Sequence, residues 1–378
     1  MFNKLFNKNK KDKVYFITGG GTGGHIYPAV SIISTLLEQN VDMKNIFYLG
    51  NKKNMEYDIA KKYGYNFLSH GAKGMPRKFS LNFIFWIFGL ISATFKTMTY
   101  VLKYKPDVVF ATGGYVCAPA LFCALMFRIP YVLHDCDIEP GIVTRAFAPL
   151  ATSVSLSFED AKKKIKSKNI FINGNPIRQE FKTISKKQAR EELSLKDCFT
   201  ILIMGGSLGA KKINESSFKI LKEYANKENI EIIWQTGRKN FDEVTKQILE
   251  QFNELPDNLV LQPFFDRMYL ALLSADIVIS RAGSLSLSEI CACSLPAILI
   301  PYPYAAQDHQ KKNAQSFVNN KAAIMLEDKD CNNESLFKIT NELMSNKELL
   351  SDLSYNSFKM AKLDSAEKIV EQVNKAIR

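Results

Sequence analysis

Short apolar runs recur along the chain, and stretches of helical spacing separate them. Val14–Ile17 reads as a first buried strand, and Ile46–Leu49, Asp107–Ala111, Tyr131–Leu133, Thr152–Leu156 and Ile170–Ile172 repeat the pattern. After Asn173–Arg178 it restarts with Thr200–Met204, Ile230–Gln235, Asn258–Leu261, Ala275–Ile279 and Pro296–Ile300. Runs without polar alternation suit parallel strands covered on both faces. Strand–helix alternation through both halves predicts an α/β fold of two Rossmann-like, doubly wound parallel-sheet domains. Small-residue turns cluster at strand carboxyl ends in both halves, so the sites are expected to face one cleft. The expected domains are 1–174 and 175–361. A last helix, about 362–378, has no strand after it and is expected to pack back on the first domain.

The first strand runs into Thr18-Gly19-Gly20-Gly21-Thr22-Gly23-Gly24-His25, followed by a helix from Ile26 to about Gln39, with Pro28 suited to its first turn. Gly19, Gly21 and Gly24 match the dinucleotide fingerprint in its strand–turn–helix setting. That fingerprint expects an acid at the end of the next strand, and Gly50-Asn51-Lys52-Lys53 holds none. A nicotinamide cofactor is therefore disfavoured. The glycines still imply something bulky or anionic close to the backbone. His25, at the helix mouth beside them, is a candidate base.

Ser280–Asn313 is the densest polar stretch. Ala282-Gly283-Ser284 breaks a strand, and a helix with Glu289 inside it follows. First-turn N–H groups and the helix dipole make such a junction an anion site. Ser284, Ser286 and Ser288 add hydroxyls, and Glu289 is placed to accept from a ribose diol. A capped helix with an early acid would look the same taken alone. The next strand end, however, brings Gln307, His309, Gln310 and Asn313, uncharged groups that suit a sugar.

Residues 79–102 change the picture of the first half. Leu81–Phe95 falls about half a turn short of the roughly 17–25 residues a spanning helix needs, and Asn82 interrupts it. Arg77, Lys78, Lys96, Lys103 and Lys105 flank the run. Aromatics beside bases read as a helix in a membrane interface. A buried core helix fits equally, and part of the helix can do each. The net charge of +12 lies wholly in residues 1–175, which hold 23 Lys and Arg against 11 Asp and Glu. A basic face attracts anionic partners. Apolar content of 46% is ordinary for a globular chain of 378 residues. The seven cysteines are odd in number, lack a Cys-x-x-Cys pair and sit mostly in apolar segments, so reduced thiols are expected. Residues 1–13 lack the apolar core of a signal peptide. Asp135 and Asp137 spell D-x-D, a weak metal signal.

In order along the chain stand Gly20-Gly21-Thr22-Gly23-Gly24-His25-Ile26-Tyr27-Pro28, Thr112-Gly113-Gly114-Tyr115, Gly174-Asn175-Pro176-Ile177-Arg178, Gly205-Gly206-Ser207-Leu208-Gly209-Ala210, Ser280-Arg281-Ala282-Gly283-Ser284 and His309-Gln310 with Asn313-Ala314. This set resembles the bacterial MurG family of peptidoglycan glycosyltransferases, of the two-domain GT-B fold. The resemblance implies transfer of N-acetylglucosamine from UDP-N-acetylglucosamine to the 4-hydroxyl of the muramoyl sugar of lipid I, an undecaprenyl-diphosphate-linked muramoyl peptide. The product is lipid II, formed with inversion. It further implies an acceptor- and membrane-associating first domain and a donor-binding second domain, with the enzyme peripheral on the cytoplasmic side of the inner membrane against its anionic surface. No metal, cofactor or nucleic acid is implied.

Carried over by residue, donor or sugar contacts fall on Thr22, Gly23, Gly24, Asp137, Arg178, Ser207, the backbone of Phe265, Ser284, Leu285, Ser286, Leu287, Ser288, Glu289, His309, Gln310 and Asn313. His25 is the implied base. An imidazole, with an ordinary pKa of about 6.5, suits that role at neutral pH. Helix N-termini at Ser207 and Ser284, with Arg178, are placed to hold the charge developing on UDP. One departure is plain: the family's His-Glu-Gln-Asn is His134-Asp135-Cys136-Asp137 here. Another GT-B glycolipid glycosyltransferase using a UDP-sugar is the alternative. A UDP-sugar epimerase shares the fold but needs no apolar helix at 79–102. A non-catalytic scaffold would not keep the polar set.

Overall fold

The computed structural model describes residues 13–76, 81–206 and 209–377. The chain forms two compact units. One ends at Ile177 and resumes at Asp364, and the other runs Arg178–Leu363. The break falls three residues beyond the position expected from the sequence.

The first unit holds β1 (Tyr15–Thr18), β2 (Ile46–Gly50), β3 (Asn66–Ser69), β4 (Val108–Ala111), β5 (Tyr131–Asp135), β6 (Ser153–Leu156) and β7 (Ile170–Ile172). All are parallel, in the order β3-β2-β1-β4-β5-β6-β7. Its helices are α1 (Gly23–Glu38), α2 (Met55–Lys62), α3 (Leu81–Tyr104), α4 (Ala118–Phe127) and α5 (Ile142–Phe147). Strands β1 and β4 are buried throughout, because helices cover both faces of the sheet. Strand β3 escaped the sequence reading, since an edge strand is only half buried and keeps polar residues. Helix α1 starts at Gly23, so Pro28 lies inside it and not in its first turn. The glycine loop is one turn shorter than the sequence suggested.

Helix α3 is 24 residues long, and an 18-residue stretch within Asn82–Tyr104 reaches a mean hydropathy of 1.3, enough to cross a membrane by length and composition. The expected shortfall in length therefore does not hold. One face of the helix packs in the core and another is left exposed. Ala93, Thr97 and Val101 are buried on one face, while Met98, Tyr100 and Tyr104 pack on the core with α4 alongside. Ile84, Phe85, Ile87, Phe88, Ile91 and Phe95 are exposed, Phe85 by 69%. Trp86 is held to the protein, its indole N–H donating to the Lys73 carbonyl at 2.9 Å. Arg77 and Lys78 lie outside the described residues.

The second unit holds β8 (Phe199–Met204), β9 (Ile230–Gln235), β10 (Leu259–Gln262), β11 (Ile277–Ser280), β12 (Ala297–Leu299) and β13 (Ala323–Met325). They are parallel in the order β10-β9-β8-β11-β12-β13. Its helices are α6 (Glu180–Thr183), α7 (Lys186–Glu192), α8 (Lys211–Ser216), α9 (Phe218–Tyr224), α10 (Phe241–Phe252), α11 (Met268–Ser274), α12 (Ser284–Ala292), α13 (His309–Asn319), α14 (Asn333–Ser345) and α15 (Lys347–Met360). Its core gathers around Trp234, Ile201, Ile203, Ile277 and Ile279. The last helix, α16 (Ser365–Ala376), belongs to the first unit. Ile369, Val370 and Val373 join the core of α1 and β1, and Tyr15 donates its hydroxyl to Asn374 Oδ1 at 2.9 Å. Among the described residues no disulfide forms between the cysteines.

Candidate active site

In each sheet the winding reverses at one point, between β1 and β4 and between β8 and β11. The loops leaving two adjacent strands diverge there and open a crevice at their carboxyl ends. Thr18 pairs with Ala111 and Met204 with Ser280, so each pair of strands ends level and its two loops start side by side.

In the first unit, the loop after β1 leads to Thr22, the N-cap of α1, whose hydroxyl makes no cap bond. Gly23 and Gly24 open the helix, and no acid lies in its first turn. His25 follows, half-buried. Its Nδ1 lies 2.9 Å from the Thr112 carbonyl after β4. A carbonyl only accepts, so Nδ1 is the donor, and in the neutral ring the lone pair is then on Nε2. The Thr112 hydroxyl donates to the His25 carbonyl at 2.6 Å, a second tie between the loops. The ring lies against Gly113 and Gly114. A Cβ at Gly114, where φ is +78°, would stand 2.9 Å from the Gly20 carbonyl oxygen and 3.1 Å from the ring. Only glycine permits that approach.

The loop after β5 reaches the same place. Cys136 Sγ is 3.9 Å from His25 Nδ1, and half-buried Asp137 has Oδ2 3.7 Å from that sulfur. Asp135 is buried and accepts the N–H groups of Asp137 at 3.2 Å and Gly141 at 3.0 Å. Burial raises its pKa above the usual carboxylate range. Its oxygens are engaged in shaping the loop, and among the described residues no three His, Cys, Asp or Glu side chains gather as a metal site. His134 lies in the interior on Ser155 Oγ and Asn175 Oδ1, where burial lowers its pKa to about 4.

In the second unit, α12 starts at Ser284 behind Gly283. Ser284, Leu285 and Ser286 supply the first-turn N–H groups. Leu287 does not belong with them: its side chain is fully buried and its N–H donates to the Gly283 carbonyl at 3.0 Å. Ser288 Oγ donates to the Ser284 carbonyl at 3.0 Å. Glu289 lies in the second turn, buried, with Oε1 3.8 Å from Arg178 Nη2. The Arg178 guanidinium stands 5.2 Å from the ring centre of Tyr269 and 6.0 Å from that of Phe181. Burial raises the Glu289 pKa and Arg178 opposes it only in part. Ser207 lies outside the described residues.

Three expected contacts are engaged with the protein itself. The Phe265 N–H donates to Gln235 Oε1 at 2.8 Å, so that N–H is already engaged in this arrangement. Asn313 is fully buried and donates Nδ2 to the Ala282 carbonyl at 3.2 Å, which holds the turn before α12. Gln310 Oε1 accepts the Tyr302 N–H at 3.0 Å. Half-buried His309 opens α13, just after Gln307 and Asp308, whose φ values of 55° and 53° are strained for non-glycine residues.

Sequence reading missed two organisers. Gln235 ends β9 inside an apolar run, and its amide also donates to the Gly206 carbonyl at 3.1 Å, tying the glycine loop to the Phe265 loop. A polar residue at a strand's carboxyl end was the available signal. Glu56 in α2 is fully buried and accepts the Gly21 N–H at 3.3 Å. An acid does reach the first glycine loop, from the helix after β2 and not from the strand end.

Residues 15–156 match the Glycosyltransferase family 28 N-terminal domain and residues 200–373 the family 28 C-terminal domain. The chain is 34% identical over 365 residues to the UDP-N-acetylglucosamine–N-acetylmuramyl-(pentapeptide) pyrophosphoryl-undecaprenol N-acetylglucosamine transferase of Desulforamulus reducens, covering 96% of this chain and 98% of that one. It is 35% identical over 362 residues to the protein of the same name from Caldanaerobacter subterraneus, covering 95% and 98%. The crystal structure of Acinetobacter baumannii MurG superposes with a TM-score of 0.73 at 27% identity, over 96% of this chain and 99% of that one. A UDP-GlcNAc 2-epimerase from Neisseria meningitidis, at 16% identity and a TM-score of 0.68, shares the fold. With both family 28 domains and near full-length likeness to these transferases, the chain belongs to the MurG family of glycosyltransferases.

Proposed function

We propose that this enzyme transfers N-acetylglucosamine from UDP-N-acetylglucosamine to the 4-hydroxyl of the muramoyl sugar of lipid I, giving lipid II with inversion. The observation that carries the mechanism is the contact between His25 Nδ1 and the Thr112 carbonyl. The Thr112 carbonyl holds Nδ1–H, so Nε2 is the open acceptor at the β1–β4 crevice. Nε2 takes the proton of the attacking hydroxyl as the oxygen bonds the anomeric carbon. UDP leaves from the opposite face with the electrons of the broken bond. Arg178 and the first-turn N–H groups of Ser284, Leu285 and Ser286 stabilise the charge on the diphosphate. Glu289 accepts from the ribose hydroxyls.

The first unit acts as the acceptor and membrane-associating domain and the second as the donor domain. Exposed Phe85, Phe88 and their neighbours on α3 support peripheral attachment to an anionic leaflet, where the acceptor's polyprenyl chain lies. The test is purified protein with labelled UDP-sugars and a short-chain lipid I analogue. Transfer from UDP-N-acetylglucosamine alone is expected. Equal use of another UDP-sugar, or no transfer to the muramoyl acceptor, would overturn the assignment.

A further inference from the structure

A carboxylate lies beneath the first glycine loop, where a nucleotide-binding turn would leave its N–H groups to a phosphate. Glu56 is fully buried. Its Oε2 accepts the Gly21 N–H at 3.3 Å, while its Oε1 accepts the Asn51 N–H at 3.1 Å and the Asn54 Nδ2 at 3.0 Å. Gly20 lies directly over it, so close that a Cβ there would stand 2.8 Å from the carboxyl carbon. The same Asn54 amide reaches the Tyr115 hydroxyl at 3.1 Å. The Tyr115 ring in turn closes over Gly21, where a Cβ would lie 3.0 Å from it.

These contacts converge on the pocket of His25. The Gly19–Thr22 loop leads directly into α1 and sets where its third residue stands. Tyr115 follows Gly113 and Gly114, the backbone against which the imidazole lies. One buried group therefore ties both walls of that pocket, the β1–α1 loop directly and the β4–α4 turn through Asn54 and Tyr115. A buried carboxylate with three donors and no cation among its hydrogen-bond partners is costly to the fold unless each bond is kept. Nothing else among the described residues holds the Gly21 N–H.

We propose that Glu56 is a positioning residue for transfer, which acts through His25 by fixing the glycine loop and Tyr115 around the imidazole. The proposal rests on the reading of His25 as the base. Glutamine at position 56 keeps the shape but turns one acceptor oxygen into an NH2 that faces an N–H. The loop must then shift, and a misplacement of about 1 Å at a base costs on the order of 100-fold.

The experiment uses the full chain with UDP-N-acetylglucosamine and a short-chain lipid I analogue, in a cycle of Glu56→Gln with His25→Ala. Glu56→Gln should lower kcat by about 10- to 100-fold, with KM for the donor and UDP affinity within about 2-fold of wild type. In the His25→Ala background it should cost less than about 3-fold more, because the group it positions is gone. A purely structural role would lower activity by the same factor in both backgrounds, and that result overturns the proposal. So does wild-type turnover of Glu56→Gln. If Glu56→Gln loses UDP binding and its folded circular dichroism, half-buried Asn54→Ala decides instead. Several-fold slowing only while His25 is present supports the proposal, and equal slowing in both backgrounds, or none, overturns it. Near-wild-type turnover of His25→Ala alone would mark failure of the base assignment and remove the route through His25 with it. Slow His25→Ala with additive Glu56→Gln refutes only the positioning role.

Discussion

Glu289→Gln separates what the donor site needs from what the fold needs. The Glu289 carboxylate is buried, and its net pKa shift is upward. Burial disfavours its charged form more than Arg178, 3.8 Å away, favours it. That distance exceeds a hydrogen bond, so the pair lacks the geometry that would offset desolvation. The charge is therefore a burden on the unliganded fold. Glutamine is nearly isosteric and removes the burden, while Arg178 keeps its place beside Tyr269 and Phe181. Thermal stability of Glu289→Gln should equal or exceed wild type. Donor binding should suffer, because hydrogen bonds to a charged acceptor are worth about 1.5–3 kcal/mol against about 0.5–1.5 for neutral ones. With two ribose hydroxyls involved, the expected loss is about 1.5–3 kcal/mol, or about 10- to 150-fold in Kd. Calorimetric titration with UDP and thermal melts of both proteins measure the two quantities. A donor lacking the 2′- or 3′-hydroxyl should lose little further affinity in the variant. Binding within about 3-fold of wild type, or full additivity with the deoxy donor, places the ribose elsewhere. A melting point lower by more than about 4 °C refutes the argument that the charge burdens the fold.

His25→Ala should lower turnover by about 10²–10⁴ with UDP affinity unchanged, and single-turnover kinetics with a UDP titration check both. Phe85→Glu on exposed α3 should weaken co-sedimentation with anionic vesicles about 10-fold or more in protein of unchanged circular dichroism, since insertion of a phenylalanine ring is worth about 1.5–3 kcal/mol. High salt should weaken wild-type binding without abolishing it, and undiminished binding of the variant at both salt levels would show that α3 does not enter the bilayer. Between about pH 6.5 and 4 the unfolded chain protonates His134 while the folded chain, its pKa held near 4 by burial, does not. The unfolded state then binds more protons, so this group lowers stability as pH falls, by about 1.4 kcal/mol per pH unit. Asp135 and Glu289, both raised by burial, act in the opposite sense at the acid end. Urea melts from pH 7.5 to 4.5 should fall less steeply for His134→Asn, and parallel slopes would show that His134 does not carry the effect.

The alternation of buried runs and helical stretches was enough to specify two parallel sheets, because a strand covered on both faces must be apolar throughout and a covering helix must show its period. Local chemistry marked the glycine loops, His25 and Glu289, since a turn without Cβ atoms and a polar group at a helix mouth are visible one residue at a time. Edge strands β3 and β13 did not stand out, being short and only partly buried. What only the tertiary structure decided were the partners of polar groups. It placed Leu287 in the core, Asn313 on the Ala282 carbonyl and the Phe265 N–H on Gln235. It also brought Glu56 back beneath a loop 35 positions earlier and turned Nδ1 of His25 toward Thr112, 87 residues away. Hydrogen bonds between residues so far apart depend on sheet order and register, which no local window of sequence contains.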